Sequence, residues 1–595
     1  MNEPVSAPYK RSVPQPFKNR WLIRGTFTTQ SELHIGDGGE ACIQIRTRLA
    51  KKNISDQDDE SDASTVCVGH AGAAYLPGSS IKGPLRALVS VTDPATKETR
   101  VHQKWEALLG ADRPDGLDAA GGKLEFWDAF HSDGKGTTAE AFLAEPQNKN
   151  GLLADRNRPW WDPMRKTCVA VSVSLDRRTR TAKENLLYHL EYVPANETFA
   201  FEISGDDLRE PDIARLLLLL DQFNTGKAAL GAQTSNGWGR VRCKVKEIRR
   251  LDATGLAEWK KNPQPGLTAC RPVDKATRQA IIKRLPPLVA PSILDCPDAA
   301  SERGNNDQDE PVTLPRENNT LTIHIKLTLE SPWLIRDPRQ RERSQKAKAI
   351  RLSEDQKPTD AVPIHDESGR PFIPAKSLRG ILRSRAEMIL RTLDLDCAAH
   401  PGDVTPVTTK GKRTETVLDL IQNGSANANI KPADLAARLF GFGGWQSPLD
   451  VPRLSLADGS PSLKEHHQEF VAIDRFTGGA ADSAKFDADL AGATTLEGVL
   501  TLDLARLKLV DEKYASLGLL ALVLRDLAEG DLPIGSGSSK GQGFCTADAT
   551  VTENDTPVPK NYETLTQWFG ESTSLVSALN ALRPTTPPAT QTANA

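Results

Sequence analysis

The sequence has no long apolar run, no paired cysteines, few aromatic residues and no large excess of charge of either sign. No apolar run approaches the roughly 18 residues that a transmembrane helix needs. The N-terminal stretch MNEPVSAPYKRSVPQPFKNR contains basic residues but lacks the apolar segment of a secretory signal. Together these absences predict a cytoplasmic protein that makes no use of a membrane.

The eight cysteines are scattered and form no CxxC pair, which excludes a disulfide framework and a structural zinc knuckle. Aromatic residues make up only 5% of the chain, which disfavours a nucleic-acid site built on many stacking platforms. The net charge is -3, but the 75 basic residues are enough to line a groove while acidic loops face elsewhere. Charge therefore neither supports nor excludes an RNA ligand.

An internal repeat sets the domain organisation, because four short blocks recur in the same order in both halves of the 595-residue chain. The pairs are LPGSSIKGPLR (76–86) with IPAKSLRGILR (373–383), LEFWDA (124–129) with LSLADG (454–459), SLDRRTRTA (174–182) with AIDRFTGGA (472–480), and LGAQTSNGWGRV (230–241) with IGSGSSKGQGFC (534–545). A weaker fifth pair, FTTQSELHIGD (27–37) and LTLESPWLIRD (327–337), has the alternation of a strand. Different spacing between shared blocks indicates a duplicated core with variable insertions.

These blocks predict two domains over residues 18–255 and 319–552. A proline-rich and polar linker is expected over 256–318, and a C-terminal tail, partly disordered, over 553–595. Each copy contains strands, a helix opened by Pro-x-x-Ser, a hairpin-like segment, an apolar helix and a glycine-rich turn into a last strand. That order predicts an α+β fold in each domain.

The Pro-x-x-Ser helices are predicted phosphate sites. Free N–H groups, serine hydroxyls and two cations converge on the start of each helix, which is the chemistry of an anion site. The alternative is an ordinary capped amphipathic helix with solvated charges. The residues concerned are Ser79, Ser80, Lys82 and Arg86 in the first copy and Ser377, Arg379 and Arg383 in the second.

Two further segments are candidates for RNA contact. The glycine-rich loops, the second of which carries Lys540, let backbone amides approach a ligand closely, although a tight strand connection explains such loops equally well. The segments around SLDRRTRTA and AIDRFTGGA predict a projecting hairpin in each copy, with Arg177 or Arg475 at its base. A plain surface hairpin is the alternative.

The Pro-Gly-Ser-Ser-Ile-Lys-Gly segment, the Asp-Arg-x-Thr-x-x-Ala hairpin and the late glycine-rich loop together resemble the RAMP-superfamily backbone subunits of type III CRISPR complexes. The resemblance implies two tandem ferredoxin-like, RRM-related RAMP domains, each with insertions and a thumb hairpin that wedges into the guide–target duplex. It also implies guide RNA (crRNA) and target RNA as ligands. The implied protein partners are a large polymerase-like subunit, small subunits and other RAMP subunits.

Members of this family that cut target RNA use an aspartate in a loop before the Pro-Gly-Ser-Ser helix. In the second copy the stretch TDAVPIHDESGRPFIPA resembles that loop, which makes Asp360 the first candidate for catalysis and for binding Mg²⁺ or another divalent cation. In the first copy the candidate is Asp62, in an acidic run where Asp56, Asp58 and Asp59 compete with it. A solvated acidic surface loop is the alternative in both copies.

The function predicted from these residues is guide-RNA binding with cleavage of target RNA. Two alternatives remain open: a structural RNA-binding subunit without activity, and an endoribonuclease that processes guide RNA. Duplication of the whole domain disfavours the second alternative. So does the absence of a paired histidine, because His34 and His365 are not matched between the copies.

Overall fold

The computed structural model describes residues 18–44, 60–69, 72–92, 99–111, 121–132, 165–175, 182–261, 270–286, 288–295, 312–314, 319–337, 359–366, 369–393, 408–409, 412–413, 417–423, 432–442, 445–457, 463–554 and 559–582. The two sequence copies fold into two domains with separate hydrophobic cores.

The first domain contains both strands and helices throughout its length. Its strands are β1 (Asn19–Thr29), β2 (Gly36–Gln44), β3 (Glu60–Val66), β4 (Tyr75–Leu76), β5 (Ser90–Thr92), β6 (Thr99–Val101), β7 (Leu124–Phe126), β8 (Ala129–Ser132), β9 (Cys168–Leu175), β10 (Ala182–Tyr192), β11 (Thr198–Asp206), β12 (Val241–Asp252) and β13 (Arg271–Pro272). Its helices are α1 (Gly78–Leu88), α2 (Gln103–Leu109), α3 (Glu210–Asn224), α4 (Ala253–Lys261), α5 (Lys275–Ile282) and α6 (Val289–Ile293).

The second domain repeats the main elements in the same order. Its strands are β14 (Thr320–Leu329), β15 (Thr408–Thr409), β16 (Lys412–Arg413), β17 (Leu449–Asp450), β18 (Ser455–Leu456), β19 (Glu465–Ile473), β20 (Ala480–Ala491), β21 (Thr494–Asp503), β22 (Cys545–Glu553) and β23 (Lys560–Tyr562). Its helices are α7 (Ala375–Thr392), α8 (Val417–Asn423), α9 (Leu435–Phe440), α10 (Leu504–Lys508), α11 (Ala515–Ala528), α12 (Leu565–Glu571) and α13 (Thr573–Leu582).

The central sheets of the two domains share one topology. In the first domain β1 lies between β12 and β11, and β7 and β8 pair with the far side of β11. In the second domain β14 lies between β22 and β21, and β17 and β18 pair with the far side of β21. All of these pairs are antiparallel. This strand order, with one helix crossing over in each half, is the split βαβ arrangement of a ferredoxin-like fold, so the predicted α+β fold class is confirmed.

Apolar helices build both cores. Helix α3 has the sequence EPDIARLLLLLDQFN, in which a proline occupies the first turn and Asp212 accepts a hydrogen bond from the Arg209 N–H (3.0 Å). Its consecutive leucines are buried because the helix packs against the sheet on one side and against α5 and α6 on the other. Helix α11, ASLGLLALVLRDLA, is the matching core helix of the second domain.

The predicted linker is wrong for the described part of residues 256–318. Helices α5 and α6 belong to the first domain, where Ile282, Leu285 and Ile293 lie in the same buried cluster as the leucines of α3. Prolines and polar residues in this stretch separate short helices that pack on the domain. The sequence was interpreted as a linker because each of these helices is too short to show a clear apolar period.

The predicted C-terminal tail is wrong for residues 559–582. Strand β23 pairs with β22, and helices α12 and α13 pack on α11 and the sheet. Trp568 is fully buried, and its indole N–H donates to Glu553 Oε1 (2.8 Å). Within the predicted tail, residues 555–558 and the stretch RPTTPPATQTANA, at 583–595, lie outside the described residues.

No helix in the described part of the chain is long and apolar enough to span a membrane.

Candidate nucleic-acid interface

The two Pro-x-x-Ser helices begin in the same way. The residues before the first turn are Pro77 in α1 and Pro374 in α7, and neither helix has a side-chain cap. Ser80 and Ser377 lie inside the first turn, where the backbone N–H of each donates to the proline carbonyl (2.9 Å). The serine side chains therefore do not cap these helices, because proline takes the cap position and its rigid φ starts the helix.

The start of α1 is held by an acidic side chain of its own domain. The Gly78 N–H donates to Asp128 Oδ1 (2.8 Å), and a Cβ at Gly78 would lie 2.0 Å from the Phe126 carbonyl oxygen, so only glycine fits. Ser79 is exposed, whereas Lys82 and Arg86 are half-buried. Burial, followed by the nearby Arg86 charge, lowers the pKa of Lys82. The first helix tip thus presents a hydroxyl and two neighbouring cations beside a carboxylate.

The start of α7 is covered by the glycine-rich loop of the first domain. Gly237 of that loop lies so close to α7 that a Cβ there would be 2.9 Å from Ala375 Cβ and 3.2 Å from the Val451 carbonyl oxygen. Arg379 Nη1 donates to the Ser235 carbonyl (2.7 Å), and its other terminal nitrogen donates to the Phe440 carbonyl. Arg379 thus connects a carbonyl of the first domain with one of the second.

Arg383 also has protein partners. Its guanidinium donates to the Gly441 carbonyl (2.8 Å) and to Glu387 (3.1 Å). Its side chain is only 13% exposed, so a strand of RNA could not reach it without displacing protein. Arg379 and Arg383 thus make contacts that hold α7 to its surroundings, and the phosphate-binding role predicted for them stays a prediction.

We call the contact between the two domains the junction. It joins residues 234–240 of the first domain to the start of α7 and to Gln446–Arg453 of the second domain, and it includes further contacts. Arg240 forms an ion pair with Asp450. Thr234 Oγ1 accepts a hydrogen bond from Gln446 (3.2 Å). Beside the junction, Lys376 Nζ donates to the Tyr188 hydroxyl (2.6 Å) and lies 4.7 Å from the centre of the same ring.

The glycines of both loops allow close backbone approach. Gly231 and Gly535 have φ of +74° and +86°, and a Cβ at either would collide with the carbonyl of residue 34 or 334 at 2.2 or 2.4 Å. The following residues, Ala232 and Ser536, donate to the same two carbonyls (2.8 Å each). The alternative interpretation, a tight strand connection, accounts for these glycines in both copies.

Gly541 is the exception. It is the second-domain counterpart of Gly237 and shares its left-handed φ (+78° and +81°), yet no described atom lies within 4 Å of a Cβ built on it. The second loop therefore repeats the junction loop, but among the described residues the Gly541 position is left open.

Each domain carries the predicted thumb hairpin, β9–β10 in the first and β19–β20 in the second. Both are anchored alike: Leu33 and Val193 exchange backbone hydrogen bonds (2.8–2.9 Å), as do their counterparts Trp333 and Ala491 (2.9–3.0 Å). Val193 and Ala491 are thus equivalent positions in the two copies.

The second hairpin places Arg475 at its tip and not at its base as predicted. The strands pair from Glu465 with Ala491 to Ile473 with Ala480, and the turn that joins them holds Arg475. In this turn Asp474 Oδ1 accepts from the N–H groups of Phe476 (2.8 Å) and Thr477 (2.9 Å), which lowers the pKa of Asp474. The Phe476 side chain is 99% exposed. Arg177 of the first hairpin lies outside the described residues.

Lys540 lies on the root of the second hairpin. Its Nζ is 4.1 Å from the centre of the Phe470 ring and 4.5 Å from that of Phe486, and these two rings stack at 5.0 Å. Such a cation–π contact at an exposed site contributes on the order of 0.5–1 kcal/mol. Lys540 therefore connects the glycine-rich loop to the hairpin, whether or not it also meets RNA.

Asp360 lies beside the same hairpin. Its N–H donates to Asp487 Oδ1 (2.7 Å), and the Asp489 N–H donates to the Ala361 carbonyl (2.9 Å). Ala361 forms a parallel bridge with Ala488, so residues 360–363 extend the hairpin along the outer edge of β20. This places the candidate catalytic aspartate at the root of the thumb.

Strand pairing makes Ala63, and not Asp62, the structural counterpart of Asp360. In the first domain β3 pairs in parallel with β10, with Ala63 opposite His189 and Ser64 opposite Leu190. Since Val193 and Ala491 are equivalent, Ser64 corresponds to Ala361, and Ala63 corresponds to Asp360. Asp62 itself lies in a strand, opposite Cys42 of β2, and not in a loop. Asp56, Asp58 and Asp59 lie outside the described residues.

The predicted metal site at Asp360 is not preformed. Among the residues that the structure describes, the group whose ligand atoms come within 4.8 Å of one another is Asp526, Glu529 and Asp531, and it does not include Asp360. Arg385 and Arg525 neutralise Asp526 in that group (2.6 and 2.7 Å), which makes it an ion-pair network. The donors around Asp360 thus do not fit a resident ion by themselves.

Sequence reasoning missed His467. It lies on β19 opposite Asp489, and its Nδ1 donates to Asp489 Oδ1 (2.8 Å) while its Nε2 lies 3.9 Å from Asp487 Oδ2. The hydrogen bond to Asp489 and the charges of Asp489, Asp487 and Glu469 raise the pKa of His467. No motif marks it, because its acidic neighbours come from a strand some twenty residues later.

The sequence profile of the RAMP superfamily matches residues 26–242 and 326–546, which are the two domains without their outer helices. No curated protein matches the chain.

Proposed function

The chain belongs to the RAMP superfamily, whose proteins are CRISPR-associated RNA-binding subunits, and from this membership we propose that it is a double backbone subunit of a type III CRISPR effector. Its ligands are guide RNA and the duplex that the guide forms with target RNA. The observation that carries the proposal is that one constellation, a proline-started helix, a glycine-rich loop and a projecting hairpin, is built twice on the same sheet topology.

Several surfaces of the two domains suit a ribose-phosphate strand. The first helix tip offers Ser79, Ser80, Lys82 and Arg86 for contacts with phosphates. In protein–nucleic acid complexes, hydrogen bonds and ion pairs to phosphates supply much of the affinity. The second hairpin offers Arg475 and a fully exposed Phe476 on a turn fixed by Asp474. An exposed aromatic ring on a rigid turn can stack on an unpaired base.

RNA binding is tested by fluorescence anisotropy with the purified full chain and a labelled single-stranded RNA, with DNA of the same sequence for comparison. We expect RNA binding that weakens as salt increases. Lys82→Glu should reduce affinity about tenfold, corresponding to one to two phosphate contacts. Lys260→Glu, on the distant helix α4, is the matched control and should leave affinity unchanged. Absence of RNA binding at low salt would refute the proposal.

The junction supports assembly with other RAMP domains. In one chain, the glycine-rich loop of the first domain covers the helix tip of the second. The loop of the second domain has an exposed Ser538–Gly541 turn, and the α1 tip has an exposed Ser79. The second-domain loop and the α1 tip each correspond to one half of the junction. We therefore propose that further RAMP domains dock at both, in a head-to-tail arrangement that builds an open assembly.

We also propose that the second domain cleaves target RNA. The observation that favours cleavage is the position of Asp360 at the root of the thumb, where a nucleotide displaced by the hairpin would lie. Its carboxylate would take the proton of the ribose 2′-OH. The superfamily includes endoribonucleases. No ion site is preformed around Asp360 among the described residues, so Mg²⁺ or another divalent cation would have to be bound jointly by the protein and RNA.

Cleavage is tested by assembling the chain with guide RNA and adding labelled complementary RNA. Asp360→Asn should reduce the cleavage rate by about 10²–10⁴-fold while RNA affinity stays within about twofold. Asp62→Asn is the control, because the counterpart of Asp360 in the first domain is Ala63. This variant should cleave at the wild-type rate. Equal rates for wild type and Asp360→Asn would leave a structural RNA-binding subunit.

A further inference from the structure

The face of the second hairpin that carries Asp360 also carries a histidine that can donate a proton. Ala361 and Ala488, which bridge each other, lie buried with Leu334 and Leu490 on the inner face. Side chains alternate between the faces of a strand, so the neighbouring residues Asp360, Asp487 and Asp489 lie on the outer face. His467 pairs directly with Asp489 and therefore shares that face.

The polar groups of this face are connected. The Asp487 carboxylate accepts from the Asp360 N–H (2.7 Å) and lies 3.9 Å from His467 Nε2. The Asp487 carboxylate thus lies between the Asp360 backbone and the His467 imidazole. Two strand spacings of about 4.8 Å, with an offset of two residues along the strands, put the Cα atoms of Asp360 and His467 about 12 Å apart across the three-stranded ribbon. A phosphate between them is within reach of both side chains.

The imidazole is suited to donate a proton. Its Nδ1 is tied to Asp489, which orients the ring and leaves Nε2 as the reacting atom. Asp489, Asp487 and Glu469 are the charged groups that face it, and Lys485 pairs with Glu469 (3.0 Å). The hydrogen bond to Asp489, followed by these negative charges, raises the pKa of His467 above the ordinary histidine value. Half of its side chain (52%) remains exposed, so substrate has access.

We propose that His467 is the general acid of strand cleavage in the second domain, acting opposite Asp360. This inference rests on the proposed RNA cleavage. Asp360 removes the proton of a 2′-OH, the 2′-oxygen forms a bond to the adjacent phosphorus, and the bond from phosphorus to the 5′-oxygen breaks. His467 Nε2 gives its proton to that 5′-oxygen. The products are a 2′,3′-cyclic phosphate and a 5′-hydroxyl, and no other reactant is consumed.

The same face in the first domain lacks these groups. By the equivalence of Val193 and Ala491, the counterparts of Asp360, Asp487 and His467 are Ala63, His189 and Val169. Neither the base nor the acid is present, although both hairpins are anchored alike. One cut per chain, at the second thumb, follows from this difference.

The test uses the chain assembled with guide RNA and two target RNAs, one natural and one with sulfur in place of the 5′-oxygen at the mapped cleavage site. A thiolate leaves without protonation, so an enzyme that has lost only its acid recovers on the sulfur substrate. We expect His467→Ala to slow cleavage of the natural RNA by about 10²–10⁴-fold and to cleave the sulfur RNA within about tenfold of wild type. His466→Ala, on the opposite face of the same strand, should cleave both at wild-type rates.

Equal losses on both substrates would overturn the assignment of His467 as the acid. Binding of RNA without any cleavage by the wild-type assembly would also overturn it, while leaving RNA binding intact. Anisotropy on the same samples separates these outcomes from failure of the proposed function, because a wild-type chain that does not bind RNA would refute both proposals together.

Discussion

Gly237 and Gly541 occupy equivalent positions with the same backbone conformation but different surroundings. Gly237 faces Ala375 and Val451 across the junction, whereas Gly541 faces open space in the described structure. An alanine at either position carries the left-handed strain of roughly 1–2 kcal/mol. Only at Gly237 would the added methyl group also have to displace protein atoms.

We therefore expect Gly237→Ala to lower the apparent free energy of unfolding by about 1–3 kcal/mol more than Gly541→Ala, the usual range for an overpacked site. Urea titration followed by tryptophan fluorescence measures the difference. Equal destabilisation by the two substitutions would show that the junction does not form in solution.

The pKa of His467 gives a second test at the scale of residues. It is raised, so the stabilising contact with Asp489 is fully present below the ordinary histidine pKa of about 6.5 and is lost as pH rises through the higher folded value. NMR titration of the histidine side chains should show His467 titrating above the ordinary histidine value of about 6.5. Asp489→Asn should move the His467 pKa down, and an unchanged value would contradict the geometry of the pair.

Sequence alone suggests Asp360 as a candidate but indicates neither His467 nor the counterpart of Asp360 in the first domain. Asp360 was found because the Pro-x-x-Ser block fixes a nearby point in the chain. His467 could not be found in this way, since strand pairing brings it to Asp489. Asp62 was chosen from a run of acidic residues in which composition cannot distinguish one position from the next. The parallel pairing of β3 with β10 decides in favour of Ala63.

At the scale of elements, the outer helices α5, α6, α12 and α13 were the least predictable part of the fold. Each is short, and each completes a core whose other members are far away in sequence. The central strands and the two long apolar helices were predictable, because their periodicity is local and appears in both copies.

Trp568 of α12 tests whether this C-terminal region is part of the second domain. It is fully buried, and its indole N–H bonds with the buried Glu553. Trp568→Ala should destabilise the second domain by about 3–5 kcal/mol. Phe569→Ala, next to it but only partly buried, should cost less. Thermal unfolding followed by circular dichroism compares them. Wild-type stability in Trp568→Ala would mean that residues 559–582 are a dispensable tail.

Across the whole molecule, the junction converts a duplicated sequence into a directional unit. One end presents the α1 tip with Lys82, and the other presents the loop with Gly541. In the junction, Arg379 donates to the Ser235 carbonyl. The counterpart of Arg379 in α1 is Lys82, and the counterpart of Ser235 in the second loop is Ser539. Lys82 and Ser539 would therefore meet between two assembled chains.

Engineered cysteines test this assembly. With guide RNA present, Lys82→Cys combined with Ser539→Cys should form disulfide-linked multimers under mild oxidation, visible as a ladder on a non-reducing gel. The matched pair Arg379→Cys and Ser235→Cys should instead link within one chain and leave a monomer band. A ladder of equal intensity from Lys82→Cys with Lys260→Cys would contradict docking at these particular surfaces.

The central claim is that one RNA strand runs over both RAMP domains of the chain. It is tested most directly by photo-crosslinking guide RNAs that carry a photoreactive base at successive positions, followed by mass spectrometry of the crosslinked peptides. The account predicts crosslinks to both domains from a single RNA, including the second hairpin around Arg475 and Phe476. Crosslinks confined to one domain, whatever the position of the base, would contradict it.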